Sequence, residues 1–248
     1  MTIAKPNIQV FETTKALYNA AATFVTEAAV KAIAKKGRFC ISLSGGQTPS
    51  GLYKLLAMPI YNNQLDKENV FIFWGDERCV ALDDKRNNAF QAKNIWLDKV
   101  AIPPENIYRM AVNLPPAQAA LDYENKLKAF FNNNTICFDL VLLGLGENGH
   151  TASIFPGSKL VEGTSAGIQS DYVKKKKMYR ITMTAAMINN AEQVLFIATG
   201  KNKSDILQKV INGKHQPLAY PAQLIKPLHG MLNWFIDVEA ASQLNQLK

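Results

Sequence analysis

The chain reads as a single α/β domain, a mostly parallel sheet with helices on both faces. Three observations predict this. Short apolar runs rich in β-formers alternate with helical stretches, as in repeated βαβ units. Runs such as Val70–Trp74 and Phe138–Leu143 are apolar at nearly every position, which suits strands covered on both sides. No linker, repeat or low-complexity segment divides the 248 residues, so 1–248 is taken as one three-layer domain.

The elements follow in order. Leu17, Ala21, Phe24, Val25, Ala28 and Ala32 recur at helical spacing and predict a helix from Thr14 to about Lys35, with Gly37 as its stop. A strand at Arg38–Leu43 and a helix near Ser50–Met58 come next. Further strands are expected at Val70–Trp74, Phe138–Leu143, Met178–Met183, Val194–Thr199 and Leu232–Asp237. Helices at Ala89–Leu97, Pro116–Phe131 and Lys203–Ile211 fall between them.

Composition narrows the function. Lysine and arginine total 28 against 20 acidic residues, a net charge of +8. That balance suits nucleic acid or a small anionic substrate. No zinc pattern, RNA-recognition signature or aromatic-interleaved basic helix accompanies it, and Lys174–Lys177 reads as a solvated turn. A nucleic-acid partner is therefore not expected. No apolar run approaches the ~20 residues of a membrane span, and the N-terminus lacks a signal-type apolar core. Cys40, Cys79 and Cys137 are scattered, odd in number and without metal or redox spacing. A reducing cytoplasm, with no disulfide and no metal, is the expectation.

Three loops at strand ends carry candidate chemistry. In the first, Ser42–Gly51, Gly45 and Gly46 let backbone amides approach an anion, and Ser44 and Thr48 add hydroxyls. Thr48 is expected to cap the next helix, with Pro49 at its first position. In the second, Asp76, Glu77 and Arg78 directly follow a strand. Arg78 suits a phosphate or a carboxylate, and Asp76 can orient a histidine or handle a proton. Asp83, Asp84, Arg86, Asn87 and Asn88 are candidates to cap the following helix or reach sugar hydroxyls.

The third loop follows Phe138–Leu143 and delivers His150 after a glycine-rich turn. Gly144, Gly146 and Gly149 imitate a dinucleotide fingerprint. That motif needs a long helix straight afterwards, and Pro156-Gly157 prevents one. His150 instead sits where ligands meet open α/β sheets, as a general base or acid. Arg180 and Lys203 are further anion donors. No Ser-His-Asp arrangement appears.

Together the motifs SGGQTP (44–49), GDERCV (75–80) and LGLGENGHTASIFPGS (143–158) resemble the 6-phosphogluconolactonases of the glucosamine-6-phosphate isomerase/deaminase superfamily. RITMT (180–184), TGKNKSDIL (199–207) and GMLNWFIDVEAA (230–241) fit as well, so the likeness spans nearly the whole chain. The resemblance implies a modified Rossmann-like fold. It implies hydrolysis of 6-phospho-D-glucono-1,5-lactone to 6-phosphogluconate, in the oxidative pentose phosphate pathway, without metal or organic cofactor. His150 matches the catalytic histidine, and Ser44, Gly45, Gly46 and Thr48 match the phosphate-side loop. Arg78, Arg180 and Lys203 match basic positions for the phosphate. The partner is a phosphorylated sugar lactone, and the state a monomer or small homo-oligomer.

One position departs from the family. Asn148 stands where an aspartate usually precedes the histidine by two residues. Asn148 can hold the ring by a hydrogen bond but supplies no charge, so Asp76 or Glu147 is expected to supply it. Activity is then expected to rise through an ionisation in the histidine range. The related deaminases carry a glutamate where this chain has Phe155, which cannot transfer a proton. A non-catalytic sugar-phosphate sensor would normally add a helix-turn-helix, and none is evident before the first strand.

Overall fold

The computed structural model describes residues 5–244. In chain order the elements are β1 (Asn7–Phe11), α1 (Thr14–Lys36), β2 (Phe39–Leu43), α2 (Gln47–Leu56), α3 (Pro59–Asn62), β3 (Val70–Trp74), β4 (Asp76–Arg78), α4 (Asn88–Ile95) and α5 (Pro116–Phe130). There follow β5 (Leu140–Gly144), β6 (Ile168–Val173), β7 (Met178–Met183), α6 (Ala185–Ile188), β8 (Gln193–Ala198), α7 (Ser204–Ile211), β9 (Met231–Asp237) and α8 (Val238–Ala241).

Six strands form a sheet in the order β1-β9-β8-β5-β2-β3, and every pairing is parallel. Every residue of β2 is buried, as are Leu140 to Leu143 of β5. Successive side chains of a strand point to opposite faces, so such strands need cover on both sides. The expected α/β class holds.

α1 owes its length to an alanine-rich sequence with one buried face, including Leu17, Ala21, Val25 and Ala28. Thr13 caps its start, accepting from Ala16 N–H at 3.1 Å. Gly37 ends it at φ 74°, where its N–H bonds the Ile33 carbonyl at 2.8 Å.

Four expectations need correction. Met178–Met183 is a strand, but it belongs to a separate three-stranded antiparallel sheet, β4-β7-β6. Its alternating pattern fits either sheet, and pairing decides. The edge strand β1 lies outside the expected strands: its Ile8, Val10 and Phe11 make only a five-residue, largely exposed run, which pairing with β9 turns into a strand. The strand expected to start at Phe138 starts at Leu140, and Asp139 is held by the Cys40 backbone N–H at 2.7 Å. Thr48 is not a cap: α2 starts at Gln47 behind Gly46, whose φ of 114° turns the chain into the helix. Pro49 is then a first-turn residue, which proline tolerates because no N–H is needed there.

Gly75 joins the two sheets. Its N–H bonds the Leu43 carbonyl of β2 at 2.9 Å, and its carbonyl accepts from Met183 N–H of β7 at 2.8 Å. The chain thus leaves the main sheet at Gly75 and enters the small one at Asp76.

Candidate active site

β2 is the point where the chain changes direction: β3 lies on one side of it and β5 on the other. The crevice beyond the carboxyl ends of such strands is the usual ligand site. A cleft of about 460 Å³ opens there, and its wall includes Ser44, Gly46, Asp76, Arg78, His150 and Lys203. Loops after β2, β3, β5 and β8 all contribute. Gly45 and Thr48 also line it, whereas Arg180 and Asn148 lie outside the lining. A second pocket, of about 300 Å³ beside Trp234, is mostly apolar and holds none of the expected site residues.

His150 is placed by its own loop. Gly149 takes φ 78° and donates to the Gly146 carbonyl at 2.9 Å, and Gly146 N–H returns to the His150 carbonyl at 2.9 Å. A Cβ on residue 146 would overlap the His150 ring, so this close turn requires glycine. The ring stacks on Phe155, with centroids 4.1 Å apart. Nδ1 lies 2.5 Å from Asn148 Oδ1. That oxygen can only accept, so Nδ1 carries the proton and Nε2 keeps its lone pair. Asn148 thereby sets the tautomer from behind the ring.

The electrostatics differ from the sequence expectation. Burial pushes the His150 imidazole down to about 4. The Asp76 carboxylate opposes this, and Lys203, Arg180 and Lys176 add to it. An ionisation of His150 in the ordinary histidine range is therefore not what the geometry supports. Between the two candidate acids, Asp76 is the one acting on the ring. Glu147 is exposed and accepts from Asn202 Nδ2 at 3.0 Å, tying two cleft loops together.

Asp76, Arg78, Arg180 and Thr182 share one face of the small sheet. Asp76 pairs with Thr182 and Arg78 with Arg180 across β4 and β7, and alternate residues face alike. Asp76 is 6% exposed; its Oδ2 accepts from Ser153 Oγ at 2.5 Å. Ser153 N–H in turn bonds Thr182 Oγ1 at 3.2 Å. Sequence reasoning passed over Ser153 and the stacking role of Phe155, although both lie in the GHTASIFP segment. Each depends on a contact that spacing does not reveal.

The basic groups are not neutralised. Two arginines stand directly opposite across β4 and β7, and among the described residues the Nε atoms of Arg78 and Arg180 are buried without a partner. Arg78 Nη1 reaches the Arg86 carbonyl at 2.6 Å. Burial lowers the pKa of Arg180, with Asp76 opposing, and lowers that of Lys203, with Glu147 opposing. Across the cleft, the first N–H groups of α2 have no helical partners, and Ser44 Oγ is buried without a partner among the described residues. The arrangement has the donors and positive charge that suit an anion, beside a histidine whose pKa burial lowers. Asn87 does cap α4, accepting from Phe90 N–H at 2.8 Å. Among the described residues no cluster of three or more His, Cys, Asp or Glu could hold a metal, and no helix is long and apolar enough to cross a membrane.

A family model described as glucosamine-6-phosphate isomerases/6-phosphogluconolactonase matches residues 12–234. A 6-phosphogluconolactonase of a Synechocystis species is 38% identical over 243 residues, covering 96% of this chain and 98% of its own. One from a Nostoc species is 39% identical over 218 residues, covering 86% and 88%. The solved structure of a 6-phosphogluconolactonase from Trypanosoma brucei matches with a TM-score of 0.82 at 28% identity, covering 97% of this chain and 99% of that one.

Proposed function

The chain belongs to the glucosamine-6-phosphate isomerase/6-phosphogluconolactonase family, and from that premise we propose that it hydrolyses 6-phospho-D-glucono-1,5-lactone to 6-phosphogluconate. This is the lactone-opening step of the oxidative pentose phosphate pathway. One observation carries the reading: a histidine at the cleft wall whose Nδ1 lies against Asn148 Oδ1, an acceptor that favours the tautomer with Nε2 unprotonated, with basic groups around it.

The phosphate docks where the α2 N-terminus, Ser44 to Thr48, faces Lys203, with Arg78 and Arg180 adding positive potential. The lactone carbonyl then lies toward His150. Nε2 takes a proton from water as it attacks C1. Asp76 stabilises the imidazolium that forms, which the low starting basicity of His150 makes necessary. The protonated ring next gives its proton to the departing ring oxygen. Because the lactone also opens unaided, fixing it beside one general base supplies most of what is needed. Phe155, stacked on the histidine, offers no proton, in keeping with hydrolysis rather than deamination.

The test is lactone hydrolysis by the purified chain with the spontaneous rate subtracted, against ammonia release from glucosamine 6-phosphate. Turnover of the first substrate alone is expected. Ammonia release without lactone turnover would replace this reading.

A further inference from the structure

Glu77 is a buried carboxylate that the mechanism above does not use. It lies on β4 between Asp76 and Arg78, and strand alternation turns it away from their face. Its side chain is 1% exposed. Oε1 accepts from the backbone N–H groups of Arg78 and Asn88, both at 2.7 Å, and Oε2 from Ala89 N–H at 2.8 Å. The last two open α4, where N–H groups have no helical partner and negative charge is favoured. Asn88, fixed this way, reaches into the site. Its Nδ2 donates to the Asp76 carbonyl at 2.8 Å and lies 3.5 Å from Asp76 Oδ1. Its carboxamide also fills the space a Cβ on residue 45 would need.

We propose that Glu77 is a positioning residue for the hydrolysis: its ionised carboxylate clamps the first turn of α4 to β4 and, through Asn88, holds Asp76 and the Gly45 loop in place around His150. The proposal rests on the lactonase reading of the same cleft. Ionised, both oxygens accept and all three N–H groups are satisfied. Protonated, the carboxyl has no net charge and its hydroxyl oxygen is a poorer acceptor, so the hold on the three N–H groups weakens.

The pH at which this happens follows from the surroundings. Burial pushes Glu77 up to about 7, and Asp76 on the same strand adds to the rise. Cys79 just beyond β4 and Tyr123 of α5 lie within its field, and Arg180 of β7, on the opposite face of the small sheet, is the cation coupled to it. His150 is already neutral there. The clamp, not the histidine, then sets how activity falls as the pH drops through neutrality.

The test uses the whole chain. Glu77→Gln keeps two acceptor bonds but turns an amide N–H₂ toward a backbone N–H. The expected result is a kcat about tenfold lower at pH 8 with KM within about threefold, and loss of the acid limb near neutrality. Glu77→Asp, which keeps the charge on a shorter arm, should lower kcat yet retain that limb. A readout independent of turnover is the His150 ring-proton NMR shift. It should show, besides its own titration, a second inflection near 7 in the unaltered protein that Glu77→Gln abolishes. Unchanged kcat and limb in Glu77→Gln, or no second inflection in the unaltered protein, overturns the clamp. Absence of lactone turnover alone overturns the functional reading, and the inflection still decides on Glu77.

Discussion

The two ends of the parallel sheet treat charge in opposite ways. At the amino end, Asp139 is buried just before β5 and has a cation of its own, although burial still raises its pKa. Lys36 at the end of α1 contacts it at 2.5 Å and Glu192 at 3.3 Å, and the Cys40 N–H donates to Asp139 Oδ2. At the carboxyl end, Arg78 and Arg180 face each other, Lys203 loses basicity to burial, and Ser44 Oγ has no partner among the described residues. An ion pair between buried Asp139 and partly exposed Lys36 ties α1 to the sheet. An unmatched set stores potential for a ligand that brings the missing negative charge.

That contrast predicts that changes at one end cost activity and at the other stability. The largest effect is expected from His150→Ala, which should cut kcat by about 10²–10⁴-fold with little change in KM or in Tm. Near-normal kcat, after subtracting the uncatalysed rate, would remove His150 from the chemistry.

Asp139→Asn should do the reverse. It leaves Lys36, itself partly exposed, without its main partner, and should destabilise by about 1–3 kcal/mol in urea unfolding while kcat holds. A loss of kcat with no loss of stability would erase the distinction between the two ends.

Lys203→Ala should raise KM for the phosphorylated lactone by about 10–100-fold, the equivalent of about 1.5–3 kcal/mol. Unphosphorylated gluconolactone should be far less affected. Equal losses on both lactones would mean that Lys203 does not hold the phosphate.

A smaller effect concerns pH and stability within the site. His150 sits below its ordinary value of 6.5, at about 4, so its contribution to stability is full above 6.5 and lost as pH falls through 4. Glu77 sits above its ordinary 4.5, at about 7, so its contribution is full below 4.5 and lost as pH rises through 7. The two nearly oppose each other across the same window. Removing His150 should therefore leave a stability that declines from pH 5 to pH 7 by about 1–2 kcal/mol, whereas the unaltered protein stays flatter. Denaturation curves at several pH values check this.

The smallest expected change is from Asn148→Asp. A carboxylate at Nδ1 should lift the His150 ionisation from about 4 toward the usual histidine range, with the protein folded and active. An unmoved ring-proton titration would show that residue 148 does not act on the ring in solution.

Much of this molecule follows from short-range signals. α1 and its end at Gly37, the strand Val70–Trp74, the glycine turn before His150 and the cap at Asn87 depend on residues within a turn or two of one another, where propensity and spacing act. His150, Asp76, Arg78 and the Ser44–Thr48 loop were legible because strand ends in α/β sheets converge. Other features rest on partners far along the chain. The separate antiparallel sheet puts Arg180 opposite Arg78, a register no local pattern specifies. Ser153 meets Asp76 across 77 positions of sequence, and Glu77 meets the first turn of α4 only because β4 folds back on it. Burial, which drives His150 down and Glu77 up, belongs to the packed neighbourhood and not to either residue. The sequence alone thus determined the fold class and which loops meet at the cleft. The tertiary structure decided which groups are paired and which titrate near neutrality, because desolvation and long-range pairing exist only once the chain is closed upon itself.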